Sequence, residues 1–226
     1  MNDRANEEYW ISQYKQRNAL WIHDGNPKRP HALLRSGLHS NGFFNSRPLI
    51  EDLDLMRQVA KELADRLVGN GLSLVADSVD RVVGPQTGAT LLAEYLADEI
   101  ARRRGSSCYW ASPAKREYDG QRTMVFDRDH HTVGGLENVL LCEDVVTTGG
   151  SSELTMLACL REGGLVLPYI ACMVNRSGIA NPAQLKVVAL VDRKLPMWEV
   201  DECPLCKVGS QTLSAKDNWA ALNAEY

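Results

Sequence analysis

The chain has 226 residues, 44% of them hydrophobic and 24% charged, with 25 basic against 29 acidic side chains. A net charge of -4 excludes a uniformly basic protein built to coat nucleic acid, and the apolar fraction excludes a disordered chain. A globule of this size hides roughly 70% of the surface its unfolded chain exposes, enough for one sizeable core. The longest uncharged apolar run, Leu165 to Val174, is about half of what a membrane-spanning helix needs. The polar N-terminus of mixed charge fits neither a signal nor a transit peptide. Cys108, Cys142, Cys159 and Cys172 lie in the apolar contexts of buried thiols. A soluble protein of the reducing cytoplasm is expected, with no membrane or nucleic-acid partner.

In chain order, apolar spacing predicts a helix from Glu7 to Ile22 with Trp10, Ile11, Tyr14, Asn18 and Trp21 along one stripe. Short extended segments follow around His31 to Leu34 and Gly42 to Ser46. Asp52 opens a helix through Val68, with Leu55, Met56, Val59, Leu63 and Leu67 on one face. Arg81 to Val83 reads as a strand running into Gly84-Pro85-Gln86-Thr87-Gly88, and Ala89 to Arg103 as a helix. Strands are expected at Ser107 to Ala111, Val139 to Cys142, Leu165 to Val174 and Lys186 to Val191, with a helix at Glu153 to Glu162. Between them, residues 113–135 show no clear periodicity, and a loop of that length is usually functional or disordered. Alternating strands and helices point to a parallel sheet with crossover helices. One domain is expected over 1–226: an N-terminal helix and hood (1–50), an α/β core (51–200) and a tail (201–226).

The stretch Val139 to Ser152 carries the clearest chemistry. An apolar strand ends in Glu143 and Asp144, and Thr147, Thr148, Gly149, Gly150 and Ser151 then lead into a helix. Ligands of open α/β sheets sit where strand C-termini meet helix N-termini. A helix start offers free N–H groups to a phosphate. The two carboxylates can only accept hydrogen bonds, so their partners are hydroxyls such as a ribose diol, or a cation. Either feature alone fits an ordinary strand–turn–helix. Their combination implies a ligand with phosphate and diol together. Neither a P-loop nor a dinucleotide fingerprint occurs.

Segment 139–151 resembles the phosphoribosyl-pyrophosphate (PRPP) signature of type I phosphoribosyltransferases, and the chain is most similar to the orotate phosphoribosyltransferases. That resemblance implies the type I fold, a mostly parallel central sheet flanked by helices with a small N-terminal hood. It implies that Glu143 and Asp144 hold the ribose hydroxyls and Thr147 to Ser151 the 5'-phosphate. Val83 to Ala89 resembles the pyrophosphate loop, which gives Gln86 and Thr87 to PRPP. Leu34 to Asn45 resembles the hood, giving Arg35, Phe43 and Phe44 to orotate. Arg176, after the strand ending at Val174, stands where these enzymes keep an arginine for the substrate carboxylate, and Thr147 lies near the same base. Residues 113–135 resemble the catalytic lid, with Lys115 and Arg116 matching its cations beside Arg122, Arg128, His130 and His131. With Asp144, Lys115 and Arg116 form the implied catalytic set.

The implied chemistry is displacement of pyrophosphate by orotate at the anomeric carbon. Mg²⁺, held mainly through PRPP, would stabilise the leaving group. A homodimer is implied as well. Two other readings keep the same fold: a phosphoribosyltransferase for another nucleobase, and a PRPP-sensing regulator without catalysis. The tail segment Glu202 to Ser210 resembles the C-termini of some bacterial orotate enzymes. Its Cys203-Pro204-Leu205-Cys206 is a lone Cys-x-x-Cys with no second pair at zinc-site spacing, and is read as a turn without a metal.

Overall fold

A computed structural model describes residues 3–73, 79–127 and 132–226. Helix α1 (Asp3–Gln16) stops six residues before the apolar stripe predicts, because Asn18 takes the left-handed conformation at φ 49°. Leu20–Ile22 then forms strand β1. The hood follows as β2 (His31–Leu33), β3 (His39–Ser40) and β4 (Gly42–Phe44), with β4 antiparallel to β1. A short helix α2 (Arg47–Ile50) leads to α3 (Leu53–Gly69), whose N-cap Asp52 accepts a 3.1 Å hydrogen bond from the Leu55 N–H. Asp52 also pairs with Arg17 at 2.6 Å, fixing the end of α1 to the start of α3.

The core continues through β5 (Arg81–Val83), α4 (Thr90–Arg104) and β6 (Tyr109–Ala111). The segment read as lacking periodicity forms an antiparallel hairpin, β7 (Ala114–Tyr118) with β8 (Gln121–Val125). Its strands carry no apolar alternation because β7 is exposed on both faces beyond Ala114. Arg128, His130 and His131 lie outside the described residues. Then come β9 (Asn138–Val146), α5 (Gly150–Arg161), β10 (Leu165–Asn175) and β11 (Lys186–Asp192). The tail adds β12 (Met197–Trp198), α6 (Pro204–Lys207), β13 (Thr212–Ser214) and α7 (Trp219–Leu222).

The central sheet runs β11-β10-β9-β5-β6, every pair parallel. Parallel strands are covered on both faces, so they read as continuous apolar runs. Along β9 the side chains alternate. Leu140 and Cys142 join the core built by α1, α3 and α4, whereas Val139 and Leu141 join the core of α5 and the hairpin. Burial pushes the Cys108 and Cys159 thiols up to about 12 and those of Cys142 and Cys172 well above their ordinary value, so these four are inert packing groups. A second sheet, β12-β3-β2-β13, builds the hood from both regions of the chain, with β13 parallel to β2. Among the described residues no helix is long and apolar enough to cross a membrane.

Leu63 of α3 is fully buried in the larger core. Leu63→Ala is expected to cost about 2–5 kcal/mol, read as a lower urea midpoint at unchanged slope.

Candidate active site

Strand β9 runs on past the acidic pair to Val146, so Glu143 and Asp144 stand on the carboxyl end of the central strand rather than in a loop. β10 flanks them on one side, with Cys172 opposite Glu143, while on the other side β5 pairs with β9 only as far as Leu141. The Glu143 side chain is buried, and its Oε2 has no hydrogen-bond partner. Burial, then the adjacent Asp144 charge, raise the Glu143 pKa well above the ordinary carboxylate range, and Lys115 opposes them. Burial also raises Asp144, against hydrogen bonds from the backbone and from Glu143 and the charge of Lys216. Two cations, one from the hairpin and one from the tail, therefore act on the pair.

The loop 84–88 is folded against that pair. A Cβ on Gly88 would stand 2.8 Å from Asp144 Oδ2 and 2.9 Å from Oδ1, so only glycine lets the loop backbone come this close. Segment 112–113 holds the loop in place. Ser112 Oγ donates to the Gly84 carbonyl at 2.7 Å, and the Gln86 N–H to that of Pro113 at 2.9 Å. The Gln86 side chain donates to the Ser112 carbonyl at 3.0 Å, while Thr87 is exposed beside Gly88. The Gln86–Thr87 peptide bond is cis.

On the other side of the pair, Thr147 is half-buried and Thr148 exposed. Gly149 is the N-cap of α5 at φ 83°, a conformation favouring glycine, and no side chain caps the helix. The N–H groups of Gly150, Ser151 and Ser152 open the first turn without intrahelical partners, the arrangement that receives a phosphate.

Arg176 follows β10 and is 1% exposed. Its guanidinium donates to the Gly42 carbonyl at 2.8 Å and to Ser40 Oγ at 2.6 Å, joining core to hood. Its Nε is buried without a partner, and no carboxylate among the described residues pairs with it. Burial alone lowers this group to about 10. Between its two hood contacts, Asn41 Oδ1 is likewise buried and unpartnered.

The remaining expected residues are placed differently. Phe44 packs edge-on against Tyr14 in the main core, with ring centres 5.0 Å apart, and Phe43 packs on Trp219 at 5.7 Å. Arg35 is exposed in the turn between β2 and β3. Arg116 reaches back to Asp127 at 3.2 Å while Lys115 acts on Glu143. The sequence reading missed Lys216, which no motif marks, and Tyr14. The Tyr14 hydroxyl meets Ser46 at 2.8 Å and feels the Asp144 charge.

Because the Glu143 pKa is raised in the folded protein, its protonated form stabilises the fold fully below the ordinary value of 4.5, and that stability is lost as pH rises. Glu143→Gln is therefore expected to melt a few degrees above wild type at neutral pH. The gap should close as pH falls through 4.5, read by thermal unfolding without ligand.

A scan against models of protein families returns no match. Single relatives do match. The orotate phosphoribosyltransferase of Nitratiruptor sp. is 32% identical over 212 residues, 88% of this chain and 94% of that protein. The one from Wolinella succinogenes is 31% identical over 81% of this chain and 87% of its own. Among solved structures, the orotate phosphoribosyltransferase from Aeropyrum pernix aligns with TM-score 0.54 at 22% identity, covering 80% of this chain and 91% of that one. The Mycobacterium tuberculosis enzyme in complex with Fe(III) dicitrate aligns with TM-score 0.55 at 19% identity, covering 82% and 95%. The structures share the fold, and the sequence relatives, matched nearly end to end, show that the chain belongs to the orotate phosphoribosyltransferase family.

Proposed function

We propose that this chain joins orotate to PRPP, giving orotidine 5'-monophosphate and pyrophosphate, a step of pyrimidine nucleotide synthesis. The observation that carries the base assignment is the buried, uncompensated Arg176. A guanidinium sealed from water needs an anion, and its Nε lacks an acceptor as the Asn41 Oδ1 lacks a donor, two unmet groups that suit a flat carboxylated base. Orotate has both a carboxylate and ring N–H groups. Other nucleobases lack the carboxylate.

Glu143 and Asp144 accept hydrogen bonds from the ribose hydroxyls, which supplies the partner that Glu143 Oε2 lacks. Thr147, Thr148, Gly149, Gly150 and Ser151 hold the 5'-phosphate on the α5 N-terminus. The loop carrying Gln86 and Thr87 presents its backbone to the pyrophosphate. A ring nitrogen of orotate bonds to the anomeric carbon as the bond to pyrophosphate breaks, with positive charge on the ribose in between, and its proton leaves with the basic pyrophosphate. Lys115 stabilises the departing charge, and Arg116 joins it by exchanging Asp127 for phosphate. The carboxylates of the acidic pair are the hard oxygen ligands that suit Mg²⁺, which would be held mainly through the phosphates of PRPP. When bound, Mg²⁺ neutralises charge on the leaving pyrophosphate. A homodimer is part of the proposal, supported by family membership. A cytoplasmic setting is supported by six cysteines free of disulfides.

Pyrophosphate release from PRPP, Mg²⁺ and a panel of bases tests the reading: turnover with orotate is expected, and turnover confined to another base, or none, refutes it. Two variants separate the subsites. Arg176→Ala is expected to lower kcat/KM for orotate by about 100-fold or more, the scale of an unpaired buried charge, with the KM for PRPP nearly unchanged. Asp144→Asn should instead weaken PRPP use with every base accepted.

A further inference from the structure

The Cys-x-x-Cys of the tail has partners that spacing along the chain does not reveal. Cys203 caps α6 and Cys206 lies within it, while His31 and His39 project from the hood hairpin. In that hairpin Leu33 is opposite His39, so residues 31, 33 and 39 share a face. One ligand atom from each of the four residues lies within 4.8 Å of all the others. His31 Nε2 is 3.1 Å from His39 Nδ1 and 3.5 Å from each sulfur, and Cys206 Sγ is 3.2 Å from His39 Nδ1. A tetrahedral zinc, with bonds of about 2.3 Å to sulfur and about 2.0–2.1 Å to nitrogen, sets S···N edges of roughly 3.5 Å and N···N edges of roughly 3.3 Å. The four distances above lie close to these edges. His31, His39 and Cys203 are buried and Cys206 is half-buried.

The hydrogen bonds around His31 orient it for the same purpose. Ser210 Oγ donates its single hydrogen to the Arg29 carbonyl at 2.6 Å, so its 2.9 Å contact with His31 Nδ1 is donated by the ring. Nε2 therefore carries no proton and turns a lone pair toward the cluster. One lone pair accepts one hydrogen bond, yet three donor-capable atoms crowd it. A cation at the centre satisfies all four groups at once. A histidine whose second nitrogen is anchored in this way has the arrangement of metal-ligating imidazoles.

We propose that His31, His39, Cys203 and Cys206 bind one zinc ion in a closed, structural tetrahedral site that clamps the tail onto the hood. Two sulfurs and two imidazoles in a complete buried shell favour Zn²⁺ over the hard cations, and leave no open position for catalysis. The site involves none of the residues assigned to substrate.

Metal analysis of the whole protein, expressed with zinc and purified without chelator, tests this independently of activity. One zinc per chain is expected, released on thiol modification. Cobalt-exchanged protein should show the intense d–d absorption of a tetrahedral centre with thiolate charge transfer, diminished in Cys206→Ser. Ser210→Ala retains all four ligands and should weaken zinc binding by about 10–100-fold through the freed imidazole. Zinc well below one per chain in wild type, a Cys203–Cys206 disulfide in fresh protein, or full zinc content in both Cys206→Ser and His39→Ala would overturn the proposal. The wild-type measurements decide the matter even if a variant fails to fold.

Discussion

The buried guanidinium of Arg176 is the constraint around which the two sheets are arranged. It leaves the central sheet at the end of β10, yet both its hydrogen bonds end on hood residues, Ser40 and Gly42. Ser40 in turn donates to the Pro196 carbonyl just before β12, so one charge aligns core, hood and tail. Burying a cation without a counter-ion is costly in any protein. Here that cost falls at the carboxyl end of β10, where the Arg176 Nε is left without an acceptor.

The acidic pair shows the same logic with the opposite sign. Glu143 and Asp144 are crowded by burial and by each other, and the Gly88 backbone closes against Asp144. Buried groups of opposite charge thus stand at the carboxyl ends of the neighbouring strands β9 and β10.

How far the sequence revealed this depends on the range of each interaction. The β9–α5 unit was legible because an apolar run, two acids and two glycines are consecutive. The helices at Leu53–Gly69 and Thr90–Arg104 were legible because their buried faces repeat at helical spacing. The end of α1 was not, because the turn at Asn18 interrupts a stripe whose spacing Trp21 continues. The hairpin at 114–125 was hidden by exposure on both faces. Phe44 carries no mark that separates a stacking ring from a core ring, and only its contact with Tyr14 shows the latter. His31 and His39 were invisible as partners of Cys203 and Cys206 because some 170 residues intervene, and Lys216 is an ordinary surface lysine until the fold brings it to Asp144.

The interleaving of β2 and β3 with β12 and β13 also bears on synthesis. All five strands of the central sheet are complete by Asp192, so this layer can assemble while the chain is still emerging from the ribosome. The hood sheet cannot, since its outer strand is not made until Ser214. Until then the nascent protein has the carboxyl edge of its central sheet but an incomplete cover, and closing the hood across so long a loop is a non-local pairing of the slow-folding kind.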